Sequence, residues 1–309
     1  MSQEISPAPR RDFVAQIFLS PDEPRLRAGW RVLLQLILWF VFSLCLSVPV
    51  GIVLFLIDPS FIDSPSQLPP AYLLLATIGE TFAITMSVFL ARRFLDKESI
   101  ESLGLKLNSQ ALFDVLAGIG ITLIQMGFIY VLMLNLGWLT FEGFAWEFDP
   151  AGTVITGVLT FLAIFLLVGW HEELLSRGYH LQTIASGLNL FWGVVISSTV
   201  FGALHLANPG ANWRAVAGIT IAGLLFAYAY VRTKQLWLPI GLHIGWNFFE
   251  GVGFGFPVSG LDIYALTRIE VTGPELWTGG AFGPEAGLIV LPSLVVGTGL
   301  IYWFTRARI

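Results

Sequence analysis

The chain has 309 residues, of which 55% are apolar and only 12% are charged, and its mean hydropathy is +0.76. Ordinary soluble domains carry roughly 25% charged residues, so the composition argues against a soluble protein and predicts an all-α polytopic membrane protein. The net charge is a mild −5 and there is no basic tract, which argues against a nucleic-acid partner. The single cysteine, Cys45, excludes an intrachain disulfide.

About eight apolar segments are long enough to cross a bilayer. In chain order they are 32–57, 71–95, 112–136, 152–185, 190–207, 215–232, 236–254 and 286–305. We expect residues 1–31 to form a cytoplasmic N-terminal segment and residues 32–309 to form a single transmembrane helical domain. The 152–185 stretch is too long for one straight span, so its helix should either begin after residue 152 or be strongly tilted.

The basic residues support this topology, because cytoplasmic loops of membrane proteins are enriched in lysine and arginine. With eight spans and both termini in the cytoplasm, fourteen of the sixteen basic residues lie on the cytoplasmic side. These fourteen are Arg10, Arg11, Arg25, Arg27, Arg31, Arg92, Arg93, Lys97, Lys106, Arg177, Arg232, Lys234, Arg306 and Arg308. Only Arg214 and Arg268 fall outside. The count therefore predicts an integral membrane protein with cytoplasmic termini.

The fourth span contains two adjacent glutamates, Glu172 and Glu173, followed by Arg177. At about 100° per residue on an α-helix, Glu173 and Arg177 lie on one face, one turn apart, and can pair. Glu172 then points away from that pair. A buried carboxylate without a partner is suited to act as a general base, whereas ordinary solvated contacts at the interface are the simpler interpretation of the same residues.

Histidines in two later spans favour the catalytic interpretation. Phe201 and His205 are one helical turn apart, and so are His243 and Asn247. If the fourth and fifth spans form a hairpin that turns at 186–189, Glu172 and His205 are equally far from the turn and lie at the same depth. We therefore expect Glu172, His205, His243 and Asn247 to share one layer of the helix bundle.

Two kinds of site could be built from these residues. A glutamate with a histidine can activate water, and a histidine with an asparagine can donate hydrogen bonds to an oxyanion. Alternatively, Glu172, His205 and His243 could hold a zinc ion with one open position. The sequence lacks the H-E-x-x-H motif of a local zinc site, because Leu175 stands at its last position. We favour the site without metal or other cofactor.

The three motifs together resemble those of the CPBP family, the membrane proteases related to type II CAAX prenyl endopeptidases and bacteriocin-processing proteins. The E-E-x-x-x-R motif is Glu172 to Arg177, F-x-x-x-H is Phe201 to His205, and H-x-x-x-N is His243 to Asn247. They occur in order in consecutive membrane segments, and the resemblance covers about 155–255.

The resemblance implies an intramembrane glutamate endopeptidase. Glu172 and His205 would activate water, His243 and Asn247 would form the oxyanion site, and Glu173 with Arg177 would support the fourth helix. Its substrates would be membrane proteins or lipid-modified peptides, and the bacterial cell membrane is the expected location. The alternative is a non-catalytic membrane scaffold or immunity-type binding protein that keeps the polar cluster for packing.

Two further glutamates and one glycine-rich segment also have expected roles. Glu80 is an intramembrane carboxylate that could line the site or bond to a neighbouring helix. Glu250 could also contact the site, but we expect it to reach the outer interface, where water would solvate it. The 255–285 segment is rich in glycine and aromatic residues, and we interpret it as a surface loop in preference to a lid.

Overall fold

The fold is described by a computed structural model that covers residues 13–21, 23–57 and 69–308. Almost all of its regular structure is helical, which confirms the all-α membrane class. The α-helices are α1 (Phe13–Phe18), α2 (Ala28–Ile57), α3 (Pro70–Leu90), α4 (Ser109–Asn135), α5 (Ala145–Phe148), α6 (Ala151–Glu173), α7 (Leu181–Gly187), α8 (Leu190–Leu204), α9 (Trp213–Thr233), α10 (Trp237–Asn247), α11 (Glu275–Thr278) and α12 (Val290–Thr305). Short π-helical stretches extend three of them: Ala91–Leu95 after α3, Leu174–His180 between α6 and α7, and Phe248–Gly253 after α10.

Seven helices of the described chain are long and apolar enough to cross a membrane. The predicted span 236–254 is the exception, because α10 has eleven residues and its π-helical extension has six. Every residue of α10 from Leu238 to Asn247 is buried. This helix is therefore a central element surrounded by protein, which explains why its sequence tolerates polar groups that a lipid-facing helix would not.

The overlong fourth span is a single helical run from Ala151 to Gly187. The expectation that it begins after residue 152 is wrong, because α6 already starts at Ala151. The run changes from α-helical to π-helical geometry at Leu174, immediately after the two glutamates. Such π-helical turns occur frequently at functional sites.

Helices α4 and α10 pack with their backbones in close approach, and glycines make this possible. A Cβ atom at Gly241 would lie 2.2 Å from the carbonyl oxygen of Val115, and one at Gly118 would lie 2.4 Å from the nitrogen of Leu242. Gly245 continues the contact one turn further, against Ile119. Small residues four apart are the usual means by which membrane helices approach closely. The packing fixes which face α10 turns towards the rest of the bundle.

Polar contacts tie together the ends of the helices that carry most of the basic residues. Asp96, after α3, pairs with Arg31 of α2 and, at 3.0 Å, with Arg92. At the same end Arg308 reaches Asp114 at the start of α4, at 2.7 Å. This grouping fits the predicted topology, although the side of the membrane remains a prediction. Arg10, Arg11, both chain termini and the turn at 58–59 lie outside the described residues.

The 255–285 segment is not a surface loop, and this expectation is wrong. Its strand β2 (Thr267–Val271) pairs antiparallel with β1 (Leu139–Phe144), which follows α4 and had not been predicted. The segment also buries Phe256, Val258 and Phe282. At its end, a Cβ at Gly218 of α9 would lie 1.8 Å from the carbonyl oxygen of Glu285, so the segment rests directly on the α9 backbone. It is a packed wall of the bundle.

Candidate active site

Glu173 and Arg177 form the predicted pair, and both side chains are fully buried. Arg177 donates from Nη1 to Oε1 of Glu173 at 2.8 Å, across the start of the π-helical stretch. Its second terminal nitrogen donates to the carbonyl oxygen of Gly223 on α9, at 2.9 Å. The guanidinium also lies 4.4 Å from the ring centroid of Phe201, the first residue of the F-x-x-x-H motif. The arginine thus links α6, α8 and α9.

Glu173 has a second partner that the sequence did not reveal. Nδ1 of His243 lies 2.9 Å from the same Oε1 that Arg177 contacts. Because a carboxylate can only accept, Nδ1 is the protonated donor in this bond. The ring of Phe226 is stacked on His243 at 5.3 Å. Glu173 therefore connects α6 to α10 and sets the orientation of the His243 ring.

Glu172 faces a cavity, as its position on the helix predicted. Its side chain is 27% exposed, whereas that of Glu173 is completely buried. Its Oε2 lies 3.7 Å from Nε2 of His243, and that oxygen has no hydrogen-bond partner among the described residues. The two adjacent glutamates therefore differ in their contacts. Glu173 is bonded to Arg177 and His243, whereas Glu172 lines the cavity and its Oε2 has no hydrogen-bond partner among the described residues.

His205 and Asn247 line the same cavity. His205 follows the last residue of α8, and its Nδ1 lies 2.9 Å from the carbonyl oxygen of Phe201. The Phe201 ring packs between the two histidines, with centroids 5.1 Å from His205 and 5.9 Å from His243. Asn247 is 7% exposed and lies one turn after His243 on α10. All four residues predicted to form the site are thus brought to one cavity.

The cavity has a volume of about 370 Å³ and extends well beyond the three motifs. Much of its lining is apolar, and this part includes Leu73, Ile84, Phe161, Ile164, Phe165 and Val168. The lining comes from α2, α3, α6 and the π-helical stretch after it, α8, α9, α10 and the 255–285 segment. A cavity of this size with a few polar groups on an apolar wall is typical of a site that binds part of a larger apolar molecule.

Other polar residues of the lining were missed or only partly foreseen. His171 lies in the cavity wall beside Glu172, with Nδ1 2.9 Å from Oγ1 of Thr81. Its place next to the two glutamates is the only signal that could have identified it. Glu285 also lines the cavity, and nothing in the glycine-rich sequence around it indicates this. Glu80 does both things foreseen for it, since it lines the cavity and bonds to Trp39 and Ser43 of α2.

Glu250 does not reach a solvated interface, so that expectation is wrong. Its side chain is fully buried in the π-helical stretch after α10, and neither carboxyl oxygen has a hydrogen-bond partner within the described chain. It is also absent from the cavity lining. The π-helical extension of α10 ends inside the protein because the 255–285 segment covers it, with Val258 and Ile263 against Gly251, and this explains the burial.

A metal site requires several donor side chains that converge on one point. Within the residues that the structure describes, no three histidine, cysteine, aspartate or glutamate side chains are arranged to hold a metal. Glu172, His205 and His243 line one cavity without converging as ligands. Nδ1 of His243 is bonded to Glu173, and its other ring nitrogen, Nε2, lies 3.7 Å from Oε2 of Glu172.

Comparison with known proteins identifies the segment that carries the motifs. Residues 154–249 match the model of the family described as type II CAAX prenyl endopeptidase Rce1-like. This match includes all three motifs and confirms, for that segment, the resemblance deduced from them. The chain therefore contains an Rce1-like segment within an integral membrane protein.

Three curated relatives each match between 25% and 44% of the chain. YdiL of Bacillus subtilis (strain 168), provisionally named a membrane peptidase, is 33% identical over 78 residues, which are 25% of this chain and 30% of YdiL. An uncharacterized 24.3 kDa protein of Escherichia coli is 34% identical over 28% of this chain and 40% of its own length. The uncharacterized protein YyaK of B. subtilis is 27% identical over 44% of each chain. The matches thus span less than half of each relative.

Proposed function

We propose that this protein is an intramembrane endopeptidase that hydrolyses a peptide bond of a membrane-associated substrate. The adjacent glutamates differ in their contacts, and this difference supports the proposal most directly. Oε1 of Glu173 is bonded to both Arg177 and His243, whereas Glu172 lines the cavity beside His205 and Asn247, and its Oε2 has no hydrogen-bond partner among the described residues. The match of this segment to a family of membrane endopeptidases supports the same class of reaction.

The proposed reaction begins with a water molecule held in the cavity by Glu172 and His205. Glu172 takes a proton from the water molecule, and the oxygen of the water attacks the carbonyl carbon of the substrate. A tetrahedral intermediate forms, and its oxygen carries the negative charge. When the carbon–nitrogen bond breaks, Glu172 returns the proton to the leaving amine. No covalent enzyme intermediate and no metal are required.

The oxyanion would be stabilised by two neighbouring groups on α10. The amide of Asn247 can donate directly. Because Nδ1 of His243 donates to Glu173, the atom left for the oxyanion is Nε2, which donates when the ring carries its second proton. Glu173 and Arg177 are positioning residues in this scheme, since they hold the ring without meeting the substrate. Phe201 separates and orients the two histidines.

The substrate proposed for this chain is a membrane protein or a lipid-modified peptide. The apolar walls of the cavity would accommodate apolar side chains or a lipid group. The proposal does not extend to prenylated substrates, because only the name of the matched family refers to them.

The proposal is tested by activity of the purified protein, in lipid nanodiscs, against a library of membrane peptides. Wild type should cleave some members, and Glu172→Gln should lose about 10²–10⁴-fold in rate, since an amide cannot act as a base. Thermal unfolding of the two proteins should be similar, because Glu172 lacks the buried partners of Glu173. If Glu172→Gln cleaves as fast as wild type, the proposed mechanism is wrong. If no member is cleaved by either, a non-catalytic scaffold or binding protein becomes the better interpretation.

We also propose that the protein resides in a bacterial cell membrane with both termini in the cytoplasm. The bacterial origin of the three relatives and the distribution of basic residues support this. Single cysteines placed in the 97–106 loop on a Cys45→Ser background should resist a membrane-impermeant reagent applied to intact cells. Labelling of these cysteines from outside the cell would show that the proposed orientation is wrong.

A further inference from the structure

Buried carboxylates outside the cavity follow one rule in this molecule: each has an arginine partner, with Glu250 as the exception among those that the structure describes. Asp96 pairs with Arg31 and Arg92, and Glu173 pairs with Arg177. Asp114 and the half-buried Asp149 follow the same rule with Arg308 and Arg268. Pairing is expected, because an uncompensated charge away from water is costly.

The three carboxylates that line the cavity break this rule. Glu80, Glu172 and Glu285 have no lysine or arginine partner among the described residues, and no lysine or arginine lies in the cavity lining. The basic side chains of the lining are the three histidines. Glu172 is accounted for by the proposed reaction. Glu80 and Glu285 are not.

Uncharged donors hold both of these remaining carboxylates in the same way. Glu285, which is 6% exposed, accepts from Nε1 of Trp246 at 3.1 Å and from Oγ of Ser259 at 2.6 Å. Glu80 accepts from Nε1 of Trp39 at 2.5 Å and from Oγ of Ser43 at 3.0 Å. An indole and a hydroxyl fix the orientation of a carboxylate without neutralising its charge. Each carboxylate also keeps lone pairs that can accept a further donor.

The position of Glu285 makes it the stronger candidate for contact with a substrate. Its partner Trp246 lies between His243 and Asn247 in the third motif, so Glu285 is fixed relative to the proposed oxyanion site. Burial raises the pKa of the Glu285 carboxyl, and an adjacent cation would favour its ionised form. Glu80 enters the lining from α3, a different part of the chain.

We propose that the cavity selects apolar substrate segments that carry a lysine or arginine side chain, and that Glu285 determines this preference with support from Glu80. This inference rests on the proposed endopeptidase function. A lysine or arginine of the substrate would give Glu285 a cationic partner, as Arg31 does for Asp96 and Arg177 does for Glu173. An acidic side chain at the same place is disfavoured, because it adds a like charge in poorly solvated surroundings.

The test uses an apolar host peptide of about 20 residues in which lysine, glutamine or glutamate replaces each position in turn. Cleavage by wild type and cross-linking to Glu172→Gln are both measured in nanodiscs. At the most responsive position, the lysine peptide should exceed the glutamate peptide by about tenfold or more. Glu285→Gln should reduce this ratio to less than about threefold, whereas Glu285→Asp, which keeps the charge, should retain most of it.

Glu275→Gln is the matched control, because Glu275 belongs to the same segment but has a 65% exposed side chain and pairs with Arg214 outside the cavity. Its lysine preference should equal that of wild type. If Glu285→Gln does not fold, Glu80→Gln should lower the same ratio. The inference is overturned if wild type has no charge preference, or if both neutralising variants keep it. Cross-linking that favours lysine without any cleavage would refute the proposed function alone, and cleavage without preference would refute this inference alone.

Discussion

Helices α6, α8, α9 and α10 and the 255–285 segment line the same cavity, yet the cavity can be predicted from the sequences of these two regions to very different degrees. In the helices, the motif residues that line the cavity recur one turn apart, as in Phe201 and His205 or His243 and Asn247. In the segment, Ser259 and Glu285 are 26 residues apart and meet only because the chain folds back over α10. Periodicity reports which face of a helix is used, whereas an irregular segment has no period to report.

The largest stability effect should come from the helical region, at Glu173. Glu173→Gln leaves Arg177 buried without a full counter-charge, and breaking such a pair costs about 3–5 kcal/mol. The variant should also lose activity, because His243 is no longer held by a carboxylate. Thermal unfolding in nanodiscs measures the first effect. A stable but inactive Glu173→Gln protein, together with an active Glu172→Gln protein, would reverse the roles assigned to the two glutamates.

The next effect concerns the packing that presents His243 to the cavity. Gly241→Ala places a Cβ within 2.2 Å of a backbone oxygen of α4, which cannot move without shifting the helix. Overpacking of this kind costs about 1–3 kcal/mol. Gly120→Ala is the control, since a Cβ there meets nothing within 4 Å. Equal unfolding temperatures of the two variants would show that α4 and α10 do not pack as described.

A smaller effect is expected from the 255–285 segment. Ser259→Ala removes one of the two hydrogen bonds to Glu285, which should cost about 1 kcal/mol. Thr199→Ala serves as a comparison, because its hydroxyl bonds only within its own exposed helix turn. Unfolding temperatures of both variants test whether the segment is a packed wall. Identical values for Ser259→Ala and wild type would restore the interpretation as a loosely attached loop.

The two regions also differ in how much of the site could be predicted from the sequence. The angular separation of Glu172 from Glu173 was predictable, because α6 is a regular helix up to Glu173 and the pair with Arg177 survives the change to π-helical geometry. The bond from His243 to Glu173 was not, since it depends on how α10 is rotated against α6. That rotation is set by the glycine contacts with α4, whose consequences appear only in three dimensions.

The segment could not have been foreseen in the same way. Its strand β2 depends on a partner more than a hundred residues earlier in the chain, so neither strand has a local signal strong enough to predict it. The burial of Glu250 follows from the same cause, because the covering segment removes it from water. The division into a cytoplasmic part, 1–31, and one domain, 32–309, remains a prediction.

In the proposed mechanism a carboxylate, Glu172, activates water without the help of a metal ion. The most direct test is the activity of one purified preparation before and after exhaustive treatment with a strong chelator, with its zinc content measured alongside. Activity should be unchanged and the preparation should contain far less than one zinc per chain, because no three histidine, cysteine, aspartate or glutamate side chains of the described residues are arranged to hold a metal. Stoichiometric zinc, with activity lost on chelation and restored by zinc, would contradict it and make Glu172, His205 and His243 the ligands.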